Sequence, residues 1–178
     1  LGGVTEQVLH HSEVPVLVVP EATDSFAADR LLVPTDGSEN AGLALPHAAE
    51  LAGIDGGIVD LLNVIDIDAA GGAFDAGGLE PEFVERLEER GQAAVDDAAD
   101  GLASLAPDAE IRTTVQRTDA GSGVATTIAA AVEENGDDLV VMGSHGRGNL
   151  RRTLLGSVAS KVLRTVDVPV LVAVRDRS

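Results

Sequence analysis

Between Gly143 and Ser157 the chain reads "GSHGRGNLRRTLLGS", with three arginines and no Asp or Glu. Carried on to Arg164, the stretch gains Lys161 and Arg164 and still holds no acid. The whole chain of 178 residues has a formal net charge of −18, so a cationic, glycine-punctuated island in it points to a bound anion. Gly143, Gly146 and Gly148 let the backbone turn sharply and bring N–H groups close to a ligand. Gly156 and Ser157 then open a helix, whose first free N–H groups and positive dipole end suit a phosphate. The Ser157 hydroxyl can donate to a terminal phosphate oxygen, and Arg147, Arg151 and Arg152 raise the local potential. The plainer alternative is a flexible glycine loop, with Lys161 and Arg164 only complementing a helix C-terminus. Charge reversal, helix start and position together favour the phosphate. The segment lacks the GK[ST] ending of a P-loop, and no G-x-G-x-x-G opens the first strand–helix turn.

The elements that must hold this loop alternate. Apolar runs at 30–34, 58–64, 138–142 and 168–174, and the alternating "EIRTTVQ" at 110–116, read as five strands. Helices are expected at 39–52, from Pro81 to about Leu105, at 124–135 and near 155–166. Ser38 can cap the first and Gly53 stop it, with Pro46 a source of a kink. Val84, Leu87, Ala94, Val95, Ala98, Leu102 and Leu105 mark one face of the second, and Val124, Ile128 and Val132 one face of the third. The glycine-rich stretch 68–79 is a loop. Apolar strands joined by crossover helices imply a doubly wound α/β domain whose parallel sheet is covered on both faces. In such sheets ligands sit beyond the carboxyl ends of the strands, where strand order reverses. "PTDGS" (34–38) after the first strand and "GSHGRG" (143–148) after the fourth would then line one crevice. Asp36 also has an ordinary reading as a turn residue.

Composition bounds the partners. Thirty acidic residues against 11 Arg and one Lys give a surface that repels nucleic acid and anionic membranes. So strong an acid excess with almost no lysine fits a salt-adapted, halophilic source. Cysteine is absent, which excludes disulfides and thiolate metal sites and fits a cytoplasmic setting. No run is long enough to span a membrane, and the opening residues carry no expectation of a signal peptide. His10, His11 and His47 show no metal spacing.

The chain also repeats itself. "LGGVTEQVLHHSEVPVLVVP" (1–20) aligns without gaps to "LGSVASKVLRTVDVPVLVAV" (155–174), with half of the positions identical. Residues 1–20 therefore read as the last helix and strand of a preceding unit, 21–29 as a linker and 30–176 as one complete unit. The strand at 14–19 is expected to pair antiparallel with 168–174, either within the chain or across a dimer, since both are apolar edges.

Gly143, Gly146, Gly156 and Ser157 spell G-x2-G-x9-G-[S/T]. With "LLVPTDGS", "LLNVID", "DDLVVMGSHGRG" and "LGSVASKVLRTVDVPVLV", the complete unit resembles the universal stress protein family, of the ATP-binding type. The resemblance implies a five-stranded parallel sheet of order 3-2-1-4-5, Rossmann-like and of the adenine nucleotide alpha-hydrolase-like kind. It implies that Asp36 joins a ribose or phosphate-side network and that Pro34, Thr35 and Val64 bracket the adenine. Met142, Gly143, Ser144, His145, Gly146, Arg147, Gly148 and Asn149 would follow the phosphates and ribose, closed by Gly156, Ser157 and Val158. Ala159 stands where members often have Thr, and Gly3 replaces the signature Ser in the first copy, which should not bind nucleotide by itself. The implied ligand is ATP, and Mg²⁺ with it would rest on phosphate oxygens, water and Asp36. A general base aimed at a γ-phosphate and an arginine finger are both missing by motif, so the expectation is a nucleotide-responsive stress-regulatory module with at most weak hydrolysis. The alternatives are a slow ATPase and a nucleotide-independent interaction or dimerisation module.

Overall fold

Strands of four to eight apolar residues cannot bury two faces alone, so the helices between them must fold back onto the sheet. The computed structural model describes residues 2–23, 27–53, 56–71, 80–146 and 155–175. Its elements are α1 (Gly3–His11), β1 (Val16–Val18), β2 (Arg30–Pro34), α2 (Glu39–Gly42), α3 (Ala44–Ala52), β3 (Ile58–Ile65) and α4 (Ile67–Gly71). There follow α5 (Pro81–Leu105), β4 (Glu110–Arg117), α6 (Val124–Asn135), β5 (Leu139–Gly143), α7 (Ser157–Thr165) and β6 (Val170–Ala173).

The sheet runs β1-β6-β5-β2-β3-β4. Its last five strands are parallel neighbours in the order expected of a complete unit. Beside them β1 adds a sixth, antiparallel strand, so the sheet is mixed rather than purely parallel. The pairing is within the chain, Val16 opposite Val172, Leu17 opposite Leu171 and Val18 opposite Val170. Under the repeat, Val16 corresponds to Val170 and Val18 to Val172. Exchanging the two copies therefore maps this register onto itself about Leu17–Leu171.

Side chains alternate across each strand and so divide the core in two. Leu31, Val33, Val59, Leu61, Leu139 and Val141 pack with the alanines of α3 and with Val95, Ala98 and Leu102 of α5. Leu32, Leu62, Val140, Met142, Val170 and Val172 face Leu9 of α1, Ile128 and Val132 of α6, and Ala159 and Val162 of α7. Each fully buried Leu, Ile or Val contributes roughly 1.5–3 kcal/mol. At β4, the edge, cover is one-sided: Ile111 and Val115 pack toward α5, whereas Arg112 and Thr114 are exposed.

Three local departures from the sequence reading have physical causes. The helix expected at 39–52 is broken into α2 and α3 around Leu43. Pro46 lacks an N–H and its ring clashes with the carbonyl four residues back, that of Gly42, where α2 ends. On α5, Leu105 is exposed and Ala106 takes the buried place at the helix end. Residues 68–71, expected in the loop 68–79, belong to the short helix α4, where the Ala69 N–H donates to Asp66 Oδ1.

The amino ends of β2, β3 and β5 are joined by charge. Arg30 Nη2 donates to Asp60 Oδ2 at 3.1 Å, while the Asp138 carboxylate accepts the N–H groups of Asp29 and Arg30. Asp137 is 4 % exposed and accepts from Asn135 Nδ2 at 3.2 Å. Burial, then the charge of Asp60 and a hydrogen bond with it, push the Asp137 carboxyl up to about 7.

Candidate functional site

The site is built where the sheet changes direction. From β2 the chain proceeds outward to β3 and β4, then returns to place β5 on the other side of β2 and β6 beyond it. In open α/β sheets ligands bind beyond the carboxyl ends of such a pair, here at the loops after Pro34 and after Gly143.

The first loop is held tightly. The Thr35 N–H donates to the Leu62 carbonyl at 2.8 Å, and the Thr35 carbonyl accepts from Asn63 Nδ2 at 2.7 Å. Gly37 has φ +74°, a conformation that favours glycine, and its N–H donates to Thr35 Oγ1 at 3.2 Å. Asp36 Oδ1 accepts the Ser38 N–H at 3.0 Å, an Asx turn that fixes the carboxylate, and Ser38 Oγ accepts from the Ala41 N–H to cap α2. Turn residue and candidate ligand contact are thus compatible roles for Asp36.

The second loop passes beneath α2. A side chain at Gly143 would run into the Asn40 carbonyl, so only glycine lets β5 end there. The Ser144 N–H continues the ladder to Ala173 at 2.9 Å, and Ser144 Oγ lies 3.0 Å from His145 Nδ1. Gly146 then reaches the first loop, since a Cβ on it would stand 2.7 Å from Asp36 Oδ2. Helix α7 starts against the same backbone. The Gly156 N–H donates to the Ser144 carbonyl at 2.8 Å, and a Cβ on Gly156 would lie 3.2 Å from His145 Cα. Gly156 occupies the cap position without a side chain to satisfy the first N–H groups of this nine-residue helix. Ser157 is exposed at its first position.

The structure therefore brings Pro34, Thr35, Asp36, Gly143, Ser144, His145, Gly146, Gly156 and Ser157 to one end of the sheet. Val64, Met142 and Val158 pack against the α6/α7 core at that end and supply an apolar wall. Arg147, Gly148 and Asn149 lie outside the described residues, as do Arg151 and Arg152. His145 Nε2 is buried and has no hydrogen-bond partner among the described residues, and an unmade hydrogen bond there costs about 1–3 kcal/mol. A phosphate oxygen or a ribose hydroxyl at that nitrogen would satisfy it. The arrangement can thus do three things chemically: offer helix N–H groups to an anion, hold a carboxylate near a sugar, and cover an apolar ring.

Sequence reasoning missed Asn63 and the Asn40 backbone. The signal for Asn63 was present as a lone amide inside the apolar run "IVDLLNV", where a polar residue must find a partner. The contact of Asn40 with Gly143 links residues more than a hundred positions apart and has no local signal. Among the described residues no three His, Cys, Asp or Glu side chains group to hold a metal, and no helix is long and apolar enough to cross a membrane. A cleft of about 230 Å³ opens at the opposite end of the sheet, but Glu133, Asp137 and Asp167 on its wall disfavour an anion.

Residues 28–175 match the model of the universal stress protein family. The chain belongs to that family. It is 30% identical over 164 residues to universal stress protein MJ0577 of Methanocaldococcus jannaschii, covering 84% of this chain and 96% of the relative. The solved structure of MJ0577 superposes with a TM-score of 0.68 at 29% identity, over 85% of this chain and 99% of that one. A universal stress protein of Mycolicibacterium smegmatis is 32% identical over 177 residues, 97% of this chain. There the match covers only 55% of the relative's length. A solved universal stress protein of Archaeoglobus fulgidus likewise matches 99% of this chain with 55% of its own, at a TM-score of 0.60 and 26% identity.

Proposed function

We propose that this universal stress protein domain binds ATP in the crevice between the β2 and β5 loops and acts as a nucleotide-responsive regulatory module. The observation that carries the reading is the meeting of Gly146 with Asp36 beside the uncapped start of α7, with His145 Nε2 buried and unpartnered at the same place. Phosphates would rest on the N–H groups of His145 and Gly146 and of Ser157 and Val158, helped by the helix dipole. Asp36 would hold the ribose side, and Pro34, Thr35 and Val64 would bracket the adenine. Arg147, Gly148 and Asn149 belong to the same proposal through the signature. Mg²⁺, if carried in with ATP, would take most of its ligands from phosphate and water.

The test is release of bound nucleotide. Protein purified in high salt is denatured and the supernatant chromatographed for ATP, ADP and AMP. About one adenine nucleotide per chain, lost in Gly156→Val and in Asp36→Ala, supports the reading. An empty supernatant together with no ATP binding in titration refutes it.

A second reading, an interaction module, is favoured by the self-matching register of β1 on β6. On this reading, which does not depend on nucleotide, residues 1–20 are the end of a preceding unit, 21–29 a linker and 30–176 the complete unit. The β1–β6 ladder then mimics within one chain the contact of two such units.

A further inference from the structure

The proposed site needs the Thr35–Asp36 backbone at a set height above the sheet, and one buried amide controls it. Asn63 on β3 is 7 % exposed, and its Nδ2 donates to the Thr35 carbonyl at 2.7 Å. On its other side the amide abuts α5, where a Cβ placed on Gly91 would lie 2.5 Å from Asn63 Oδ1 and 3.0 Å from Val115 Cγ1. Glycine at 91 therefore admits the amide, and the amide fills the gap between helix and loop. The orientation is fixed by chemistry, because a carbonyl can be satisfied only by the NH₂ half of the amide.

We propose that Asn63 is a positioning residue for the nucleotide site, holding Thr35 and through it Asp36, with its own place set by the backbone of α5 at Gly91. This deepens the nucleotide-binding reading and rests on it. Losing the donor leaves the Thr35 carbonyl unpaired above a buried strand, so the loop shifts to find water and Asp36 moves with it. Pushing the amide from the α5 side has the same effect. The site is thus coupled to the position of α5.

The experiment compares wild type, Asn63→Leu, Gly91→Ala, Asn63→Ala and the Asn63→Ala/Gly91→Ala double variant. Two readouts are taken: ATP affinity by calorimetric titration, and amide hydrogen exchange at Gly37 and Ser38 without nucleotide. Asn63→Leu keeps the volume and removes the donor. It should weaken ATP by about tenfold, the loss of one buried hydrogen bond, and speed exchange at both amides. Gly91→Ala should weaken ATP with Asn63 in place and weaken it less in the Asn63→Ala background, where only the contact with Val115 Cγ1 remains. Because Gly91→Ala leaves Asn63 itself intact, it decides the matter even if Asn63→Leu does not fold. Unchanged affinity and unchanged exchange in a cooperatively folded variant would overturn the proposal, as would additive effects in the cycle. If wild type binds no ATP the nucleotide reading falls, whereas the exchange at Gly37 and Ser38 still decides the role of Asn63.

Discussion

Replacing Asp137 by Asn should stabilise the protein at alkaline pH and do little near pH 4. Asp137 sits almost fully buried beside Asp60, whose other neighbour is the Arg30 guanidinium. Burial first, and Asp60 second, raise its carboxyl from the ordinary 3.8 to about 7. The folded state therefore holds a proton that the unfolded chain has released between those two values. Stability changes with pH in proportion to the protons bound by the unfolded state minus those bound by the folded state, a negative difference in this window. The contribution of Asp137 is thus fully present below about pH 4, declines as pH rises, and is lost once pH passes about 7. Three units at about 1.4 kcal/mol each set an upper bound near 4 kcal/mol, so a gain of about 2–4 kcal/mol for Asp137→Asn is expected at pH 8. Asparagine is neutral throughout, can donate to Asp60, and keeps an oxygen for Asn135. The assay is urea unfolding of both proteins from pH 4.5 to 8.5 at fixed ionic strength, with the difference between them plotted. Subtraction removes the titration of the other carboxylates. A difference that is flat in pH, or that grows toward acid, would refute the raised carboxyl of Asp137.

Other outcomes follow from single contacts. Gly143→Ala forces a methyl into the Asn40 carbonyl, so it should cost at least the roughly 1–3 kcal/mol of an overpacked site and lower the urea midpoint without changing the slope. Gly136→Ala meets no atom within 4 Å yet sits at φ +70°, so it should cost about 1–2 kcal/mol in the same assay, with Gly136→Asn costing less. Deleting residues 1–20 uncovers the β6 edge, and the shortened chain should dimerise through it; a monomer at micromolar concentration by light scattering would count against the interaction reading. Raising KCl from 0.1 to 3 M should raise Tm by screening a net charge of −18, and a falling Tm would contradict salt adaptation.

Much of the architecture was legible because it is written in local periodicity. The strand at 58–64, the helix from Pro81 and the helix 124–135 stopped by Gly136 each carry their own pattern and boundary residue, and the structure reproduces them within a residue or two. The internal repeat even foretold the antiparallel partner of β6, since two copies of an apolar edge strand suit each other. What the sequence could not determine was which residues meet across long separations. That Gly143 had to be glycine depends on the Asn40 carbonyl, and that Gly91 had to be glycine depends on Asn63. That the Asp137 carboxyl is raised depends on its burial and on Asp60 being beside it. Spacing within one segment sets local conformation, because backbone dihedrals and capping act over a few residues. Close approach and shifted carboxyls arise only when distant segments are packed together, and there the tertiary structure alone decides.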